Sequence, residues 1–244
     1  MSIYNFKISI KAKKVPVNID NKIINYTQDI SMKNNHLFCE IFFKETLIAQ
    51  GIILDFYKEF EILDFNQQTF TQIKTFEWND TTYTKNTYYG QKIFQIKNFK
   101  NPPIDDNVKE SYINEIVSVF NGYIEYLKKD IQNLNITYIP SSSKIPEDIT
   151  DKLSKINKVP LKDIIKKNHL FQSKSMTDLS TQSLNKYTTN LSYLDALNQY
   201  IVIDDVVGTG ASLCEILYNL YNFNKKVNFF FIPVKDVKRW KKFS

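Results

Sequence analysis

Glycine is scarce in this chain: 5 residues of 244, where average usage of about 7% would supply roughly 17. Arginine is scarcer still. Arg239 is the only one, although Lys and Arg together number 32 against 26 Asp and Glu, a formal charge of +6. A nucleic-acid reader that forks guanidinium groups onto phosphates and base edges is therefore not expected. The basic excess favours anionic ligands, nucleotides and phosphates among them, without choosing one. Cys39 and Cys214 are the only cysteines, too few for a disulfide framework and in keeping with a reducing compartment. His36 and His169, the only histidines, have no second His or Cys at ligand spacing, which argues against a zinc centre and against a Cys/His catalytic pair. No apolar run reaches the length of about 18 residues that a membrane span needs. The opening Met1-Ser2-Ile3-Tyr4-Asn5-Phe6-Lys7 carries no signal-peptide pattern, so a cytoplasmic location is expected. With 43% hydrophobic residues, the chain can form one large domain or two small ones with real cores.

The residues that are present divide at Asn101-Pro102-Pro103-Ile104-Asp105-Asp106. Consecutive prolines continue neither a helix nor a central strand, and an Asp can cap the helix that begins after them. Residues 1–104 read as a β-rich N-terminal region. Tyr4, Phe6, Ile8, Ile10 and Ala12 alternate with polar residues, and further strands are expected at 37–43, 47–56 and 92–96. The many aromatic residues of this region are expected in a hydrophobic β core. Residues 105–244 read as a second domain of alternating helices and strands. Tyr112, Ile113, Ile116, Val117, Phe120, Ile124 and Leu127 recur at helical spacing. A strand is expected at 136–140, then a Ser141-Ser142-Ser143-Lys144 loop, and a helix opened by Pro146 with Ile149, Leu153 and Ile156 inward. Next come a strand at 161–166 and a Ser/Thr/Asn-rich stretch to 190, then strand 200–204, helix 211–221 and strand 227–234. This order predicts an α/β fold with a mostly parallel sheet, whose function gathers at the carboxyl ends of strands.

The segment Tyr200-Ile201-Val202-Ile203-Asp204-Asp205-Val206-Val207-Gly208-Thr209-Gly210-Ala211-Ser212-Leu213 joins an apolar strand, two carboxylates, a glycine-flanked loop and a helix start. Amides at a helix start have no partner within the helix and lie at the positive end of its dipole, so they can hold a phosphate. Gly208 and Gly210 let backbone wrap that anion, and Thr209 and Ser212 add hydroxyl donors. Asp204 and Asp205 suit groups that donate hydrogen bonds, such as sugar hydroxyls, or a metal. Leu213 stands where a dinucleotide fingerprint places its third glycine, and no lysine stands where a P-loop needs one. The constellation describes a ribose 5-phosphate site.

Val202-Ile203-Asp204-Asp205-Val206-Val207-Gly208-Thr209-Gly210-Ala211-Ser212 resembles the phosphoribosyl-pyrophosphate signature of type I phosphoribosyltransferases, with Gly208 in place of a threonine. The order of elements is most similar to ComF-type and amidophosphoribosyl-like proteins over residues 108–244, although the Cys₄ zinc module of ComF-type proteins is absent. The resemblance implies that Asp204 and Asp205 bind the ribose hydroxyls during catalysis, and that Gly208, Thr209, Gly210, Ala211 and Ser212 hold the 5-phosphate. It implies that Ser141, Ser142, Ser143 and Lys144 form the pyrophosphate loop, and that Lys166, Lys167 and Lys174 on the closing loop can reach pyrophosphate. Mg²⁺, carried mainly by the ligand, is the implied cofactor, and the implied partners are phosphoribosyl pyrophosphate or a nucleoside monophosphate. The implied reaction transfers 5-phosphoribosyl to a nitrogen nucleophile such as a nucleobase, releasing pyrophosphate.

The alternative is an inactive fold of the same kind that senses a nucleotide or phosphoribosyl metabolite and regulates a partner through the N-terminal region, in DNA uptake or phage defence. The main chain of 137–145 discriminates the two: amides turned toward Gly208–Ser212 favour transfer, a closed loop favours sensing. Ser141–Lys144 also reads as a plain loop, and the lysines of 166–174 as solvated surface. Lys235, Arg239 and Trp240 read either as a hood over a base or, for Trp240, as packing of the last strand.

Overall fold

A computed structural model describes residues 6–12, 36–43, 46–59, 63–64, 69–70, 74–97, 104–167, 187–192, 194–208 and 210–236. Strands β1 (Phe6–Ala12), β2 (Leu37–Phe43) and β3 (Thr46–Phe56) come first. Two short hairpins are next, β4 (Leu63–Asp64) with β5 (Thr69–Phe70) and β6 (Thr75–Trp78) with β7 (Thr81–Thr84). Helices α1 (Tyr88–Lys97) and α2 (Asp106–Asp130) lead to β8 (Leu134–Tyr138) and α3 (Ile145–Asn157). After these come the paired β9 (Ile165–Lys167) and β10 (Tyr187–Thr189), then β11 (Gln199–Ile203), β12 (Val206–Val207), α4 (Ala211–Asn224) and β13 (Asn228–Lys235).

Seven strands form one mixed sheet in the order β1-β2-β3-β13-β11-β8, with β12 also on β13. The β1–β2 and β2–β3 pairs are antiparallel; β3–β13, β13–β11, β11–β8 and β12–β13 are parallel. The chain is thus mixed α/β with a mostly parallel sheet and, among the described residues, four helices. The parallel part is not confined to the C-terminal half, because β3 supplies the outer neighbour of β13 from Asn228↔Ala49 to Lys235↔Phe56. Residues on both sides of position 104 therefore share one sheet.

Helices cover both faces. Tyr200, Val202, Phe230 and Ile232 pack with Leu213, Ile216, Leu217 and Leu220 of α4. Ile201, Ile203, Phe229 and Phe231 pack with residues of α1, α2 and α3, including Ile93, Phe120 and Ile149. Successive side chains of a strand point to opposite faces, so a strand covered on both is expected to be largely apolar, as β13 is between its polar ends Asn228 and Lys235. Every residue of β13 is buried accordingly. Gly51 of β3 sits where a Cβ would come within 2.2 Å of the Phe230 carbonyl oxygen, so one of the few glycines serves close strand packing.

The structure departs from the sequence expectations at several places. Residues 92–96 lie inside α1, not in a strand. Tyr89, Ile93 and Ile96 recur at helical spacing and are buried, and packing on the sheet selects that period over the short alternation. Ile156 is 58% exposed, on the outer side of α3, whereas Ile149 and Leu153 are buried. Within 161–166 only Ile165 and Lys166 belong to a strand; Leu161 makes a single bridge to Ile136. Phe76, Trp78 and Tyr83 of the β6–β7 hairpin are exposed instead of forming core. The caps agree with expectation: the Asp105 carboxylate accepts the Asn107 N–H at 2.7 Å, and Pro146 lies in the first turn of α3. Among the described residues, no helix is long and apolar enough to cross a membrane.

Candidate functional site

The crevice arises from the way the chain leaves two neighbouring strands. β8 and β11 lie side by side in parallel. The helix after β8, α3, packs on one face of the sheet, and the helix after β11, α4, on the other. Loops that depart to opposite faces open a gap at the carboxyl ends of their strands. Pro233 of β13 falls between Phe231, the last partner of β11, and Val234, the first partner of β12, so β13 changes partners there while its pairing with β3 continues.

A cavity of about 280 Å³ fills this gap, lined by Ser141 and Ser142 after β8 and by Asp204, Asp205, Gly208, Gly210 and Ser212 after β11. Lys167 and Tyr187 of the β9–β10 pair also line it. Residues more than 60 positions apart in sequence are thereby brought together. Thr209 and Lys174 lie outside the described residues, as do Arg239 and Trp240. Ala211 opens α4, and Lys144 ends the serine loop as the residue before α3.

Gly210 adopts φ 80° at the N-cap of α4, the left-handed region that glycine enters without a Cβ penalty. No side chain caps this helix, and its first turn contains no acidic residue. Its leading amides have no partner within the helix and no acid of their own turn competes for them, as an anion site requires. Beneath the loop, Lys235 is 3% exposed. Its ammonium donates to the Gly208 carbonyl oxygen and, at 3.1 Å, to that of Asp236. It anchors the glycine loop and places positive charge under it, which excludes the hood role for this residue. The Asp236 N–H binds the Val207 carbonyl at 2.9 Å and closes the support.

The two aspartates differ sharply. Asp204 is half-buried, lines the cavity, and accepts the Asp205 N–H at 2.8 Å. Asp205 is 4% exposed, with both carboxylate oxygens engaged. Oδ2 accepts from Ser141 Oγ at 2.9 Å and Ser143 Oγ at 2.8 Å, and Oδ1 meets the Lys97 ammonium at 2.8 Å. The Ser143 N–H turns to Ser141 Oγ at 3.4 Å, and the Lys144 N–H to the Ser141 carbonyl at 3.2 Å. The serine loop is closed on itself and on Asp205, with Lys144 held at φ 56° where a glycine would be unstrained.

These donor sets do not suit a protein-held magnesium ion, which needs open carboxylate oxygens. Asp205 offers none, and the described residues contain no cluster of three or more His, Cys, Asp or Glu able to hold a metal. Two phenols border the aspartates. Burial, with the charges of Asp204 and Asp205, pushes the Tyr187 hydroxyl well above its ordinary range, so it stays a neutral donor. Burial, reinforced by Asp236 and Asp205, raises Tyr57 to about 12. Cys39 and Cys214 are buried, which pushes both thiols up and leaves them unreactive.

Sequence reasoning missed Lys97, Tyr187 and the loop-supporting role of Lys235. Lys97 was accessible in principle, because it directly succeeds the helical spacing of Tyr89, Ile93 and Ile96. No local pattern marks Tyr187.

No family model matches the chain, and no curated protein does. Among solved structures, a hypoxanthine phosphoribosyltransferase from Staphylococcus aureus is similar at 15% identity, with a TM-score of 0.35. The match covers 52% of this chain and 65% of that one.

Proposed function

We propose that the protein binds a 5-phosphoribosyl group, with its phosphate in the Gly208–Ser212 cradle and its sugar toward Asp204. The observation that carries this is the coincidence of three features in one cavity: the uncapped, acid-free start of α4, the Gly210 turn, and a carboxylate at the end of β11. A phosphate meets the first two and sugar hydroxyls meet the third.

Such a site has two uses. In transfer, a nitrogen nucleophile forms a bond to the anomeric carbon while pyrophosphate leaves with the electron pair of its C–O bond, and the nucleophile sheds its proton. In sensing, a phosphoribosyl metabolite or nucleoside monophosphate is bound without turnover and a partner responds. The place of Ser141 and Ser142 in the cavity lining favours transfer. The closure of Ser141 and Ser143 onto Asp205 favours sensing, and this is the stronger observation, because a pyrophosphate loop must offer its donors to the ligand. Mg²⁺ belongs with the diphosphate of a ligand, not with protein carboxylates.

Ribose 5-phosphate, and phosphoribosyl pyrophosphate with Mg²⁺, are expected to raise the melting temperature. Asp204→Asn with Asp205→Asn, each protein read against its own unliganded transition, should abolish the rise. Absence of any shift at millimolar ligand defeats the assignment. Pyrophosphate release with a panel of purines and pyrimidines then separates transfer from sensing.

A further inference from the structure

Lys97 reaches Asp205 from outside both loops of the site. It is the last residue of α1, where its charge also complements the helix C-terminus, and its side chain remains 27% exposed while that of Asp205 is 5% exposed. One ammonium and two hydroxyls engage both oxygens of the carboxylate, joining α1, the β8–α3 loop and the β11–α4 loop at a single buried point.

Resting on the phosphoribosyl site above, we propose that Lys97 is its resident cation and sets its ligand class: a single phosphate ester of a sugar or nucleoside, bound without a divalent metal. Three physical consequences lead there. First, the ammonium occupies the oxygen of Asp205 that a hard cation would need, while Asp204 Oδ1 already accepts the Asp205 N–H. Second, Lys97 offsets the charge of Asp205, one of the two acids lining the cavity, and so lowers the repulsion an arriving phosphate meets; Lys167 on the cavity wall and Lys235 beneath the loop add the same sign. Third, the ion pair and the two serine hydroxyls together hold the Asp205 carboxylate in place and the serine loop closed on it. A diphosphate would have to break both serine bonds to gain its donors. What remains for a phosphate is the uncapped start of α4 with its Gly210 turn. Lys97 thus positions Asp205 and selects the ligand without touching a reacting atom.

Calorimetric titration of the full chain with ribose 5-phosphate and with phosphoribosyl pyrophosphate, each in EDTA and in Mg²⁺, tests this. The unaltered protein should bind ribose 5-phosphate within about twofold in the two buffers, and the diphosphate no more tightly. Lys97→Met should weaken ribose 5-phosphate binding on the order of tenfold in EDTA, with Mg²⁺ restoring affinity at the vacated carboxylate. Lys97→Arg should retain the original behaviour, which a purely packing role of the methionine change would not predict. Ser143→Ala leaves the ion pair in place but loosens the loop, and should shift preference toward the diphosphate even if Lys97→Met fails to fold. The proposal is overturned if the unaltered protein needs Mg²⁺ for ribose 5-phosphate, if Lys97→Met titrates like the unaltered protein in both buffers, or if Ser143→Ala leaves the preference unchanged. Failure of the unaltered protein to bind either ester, with or without Mg²⁺, would instead remove the phosphoribosyl site itself.

Discussion

Asp204 and Asp205 are neighbours in sequence with unlike surroundings, and substitution should separate them. Asp205→Asn keeps an acceptor for the serines but leaves the Lys97 ammonium without its buried partner, so a loss of about 1 to 3 kcal/mol is expected in urea unfolding. Asp204→Asn retains the acceptor for the Asp205 N–H at a half-buried position and should cost less than about 0.5 kcal/mol. Equal losses would contradict the buried, multiply bonded environment described for Asp205. A third acid, Asp55, ends β3 beside the start of α1, and desolvation raises it to about 6, against the hydrogen bonds from Thr87, Phe56 and Tyr89 that lower it. A carboxyl raised in the folded state binds its proton more tightly there than when unfolded. The resulting stabilisation is complete below about pH 4 and is lost as pH rises through about 6. Relative to the original protein, Asp55→Asn should therefore gain up to about 3 kcal/mol on going from pH 4 to pH 7, the worth of a two-unit shift. Melting curves at both pH values check the sign.

At the scale of elements, glycine scarcity reappears as backbone strain. Lys158 and Lys225 close α3 and α4 with φ of 54° and 55°, the position where helices commonly place glycine. Asn79 and Asp80 take positive φ together in the two-residue turn between β6 and β7, the conformation such hairpins require. The left-handed state costs an ordinary residue about 1 to 2 kcal/mol, partly offset by the greater freedom glycine loses on folding. Lys158→Gly and Lys225→Gly should each stabilise by about 0.5 to 1 kcal/mol, read as higher denaturant midpoints with unchanged slope. Gly210→Ala should destabilise, because its φ of 80° lies in the same region at the mouth of the cradle. Most element types were legible from period and caps: the α2 stripe, the Pro146 start of α3, and the strand-loop-helix around Gly208. The segment 92–96 was not, because five residues are compatible with either period until a sheet face selects one.

For the whole molecule, the decisive contact is β3 on β13. A boundary near 104 is a natural inference from Pro102 and Pro103, yet the β13 strand is buried along its full length and needs a neighbour on its β3 side. A fragment of 105–244 would expose the β13 edge and the Phe230 ring that packs against Gly51. It is expected to aggregate or lack a cooperative transition, while the full chain unfolds in one step by calorimetry. A well-dispersed amide spectrum from the fragment would show instead that it folds alone. The same arrangement puts the α1 lysine into a site otherwise built from the C-terminal half, so truncation should also remove the cation of Asp205.

By itself, the sequence determined the local chemistry: an apolar strand, paired carboxylates, a left-handed glycine and a helix start are consecutive residues whose geometry is set by short-range sterics. Which acid is buried, which lysine pairs with it, and whether the serine loop offers its donors outward or turns them onto Asp205 were decided only by tertiary structure. Those contacts join residues 97, 141, 143 and 205, far apart in the chain, and are set by how α1 and the sheet pack. No periodicity records a hydrogen bond between segments that meet only when the core has formed.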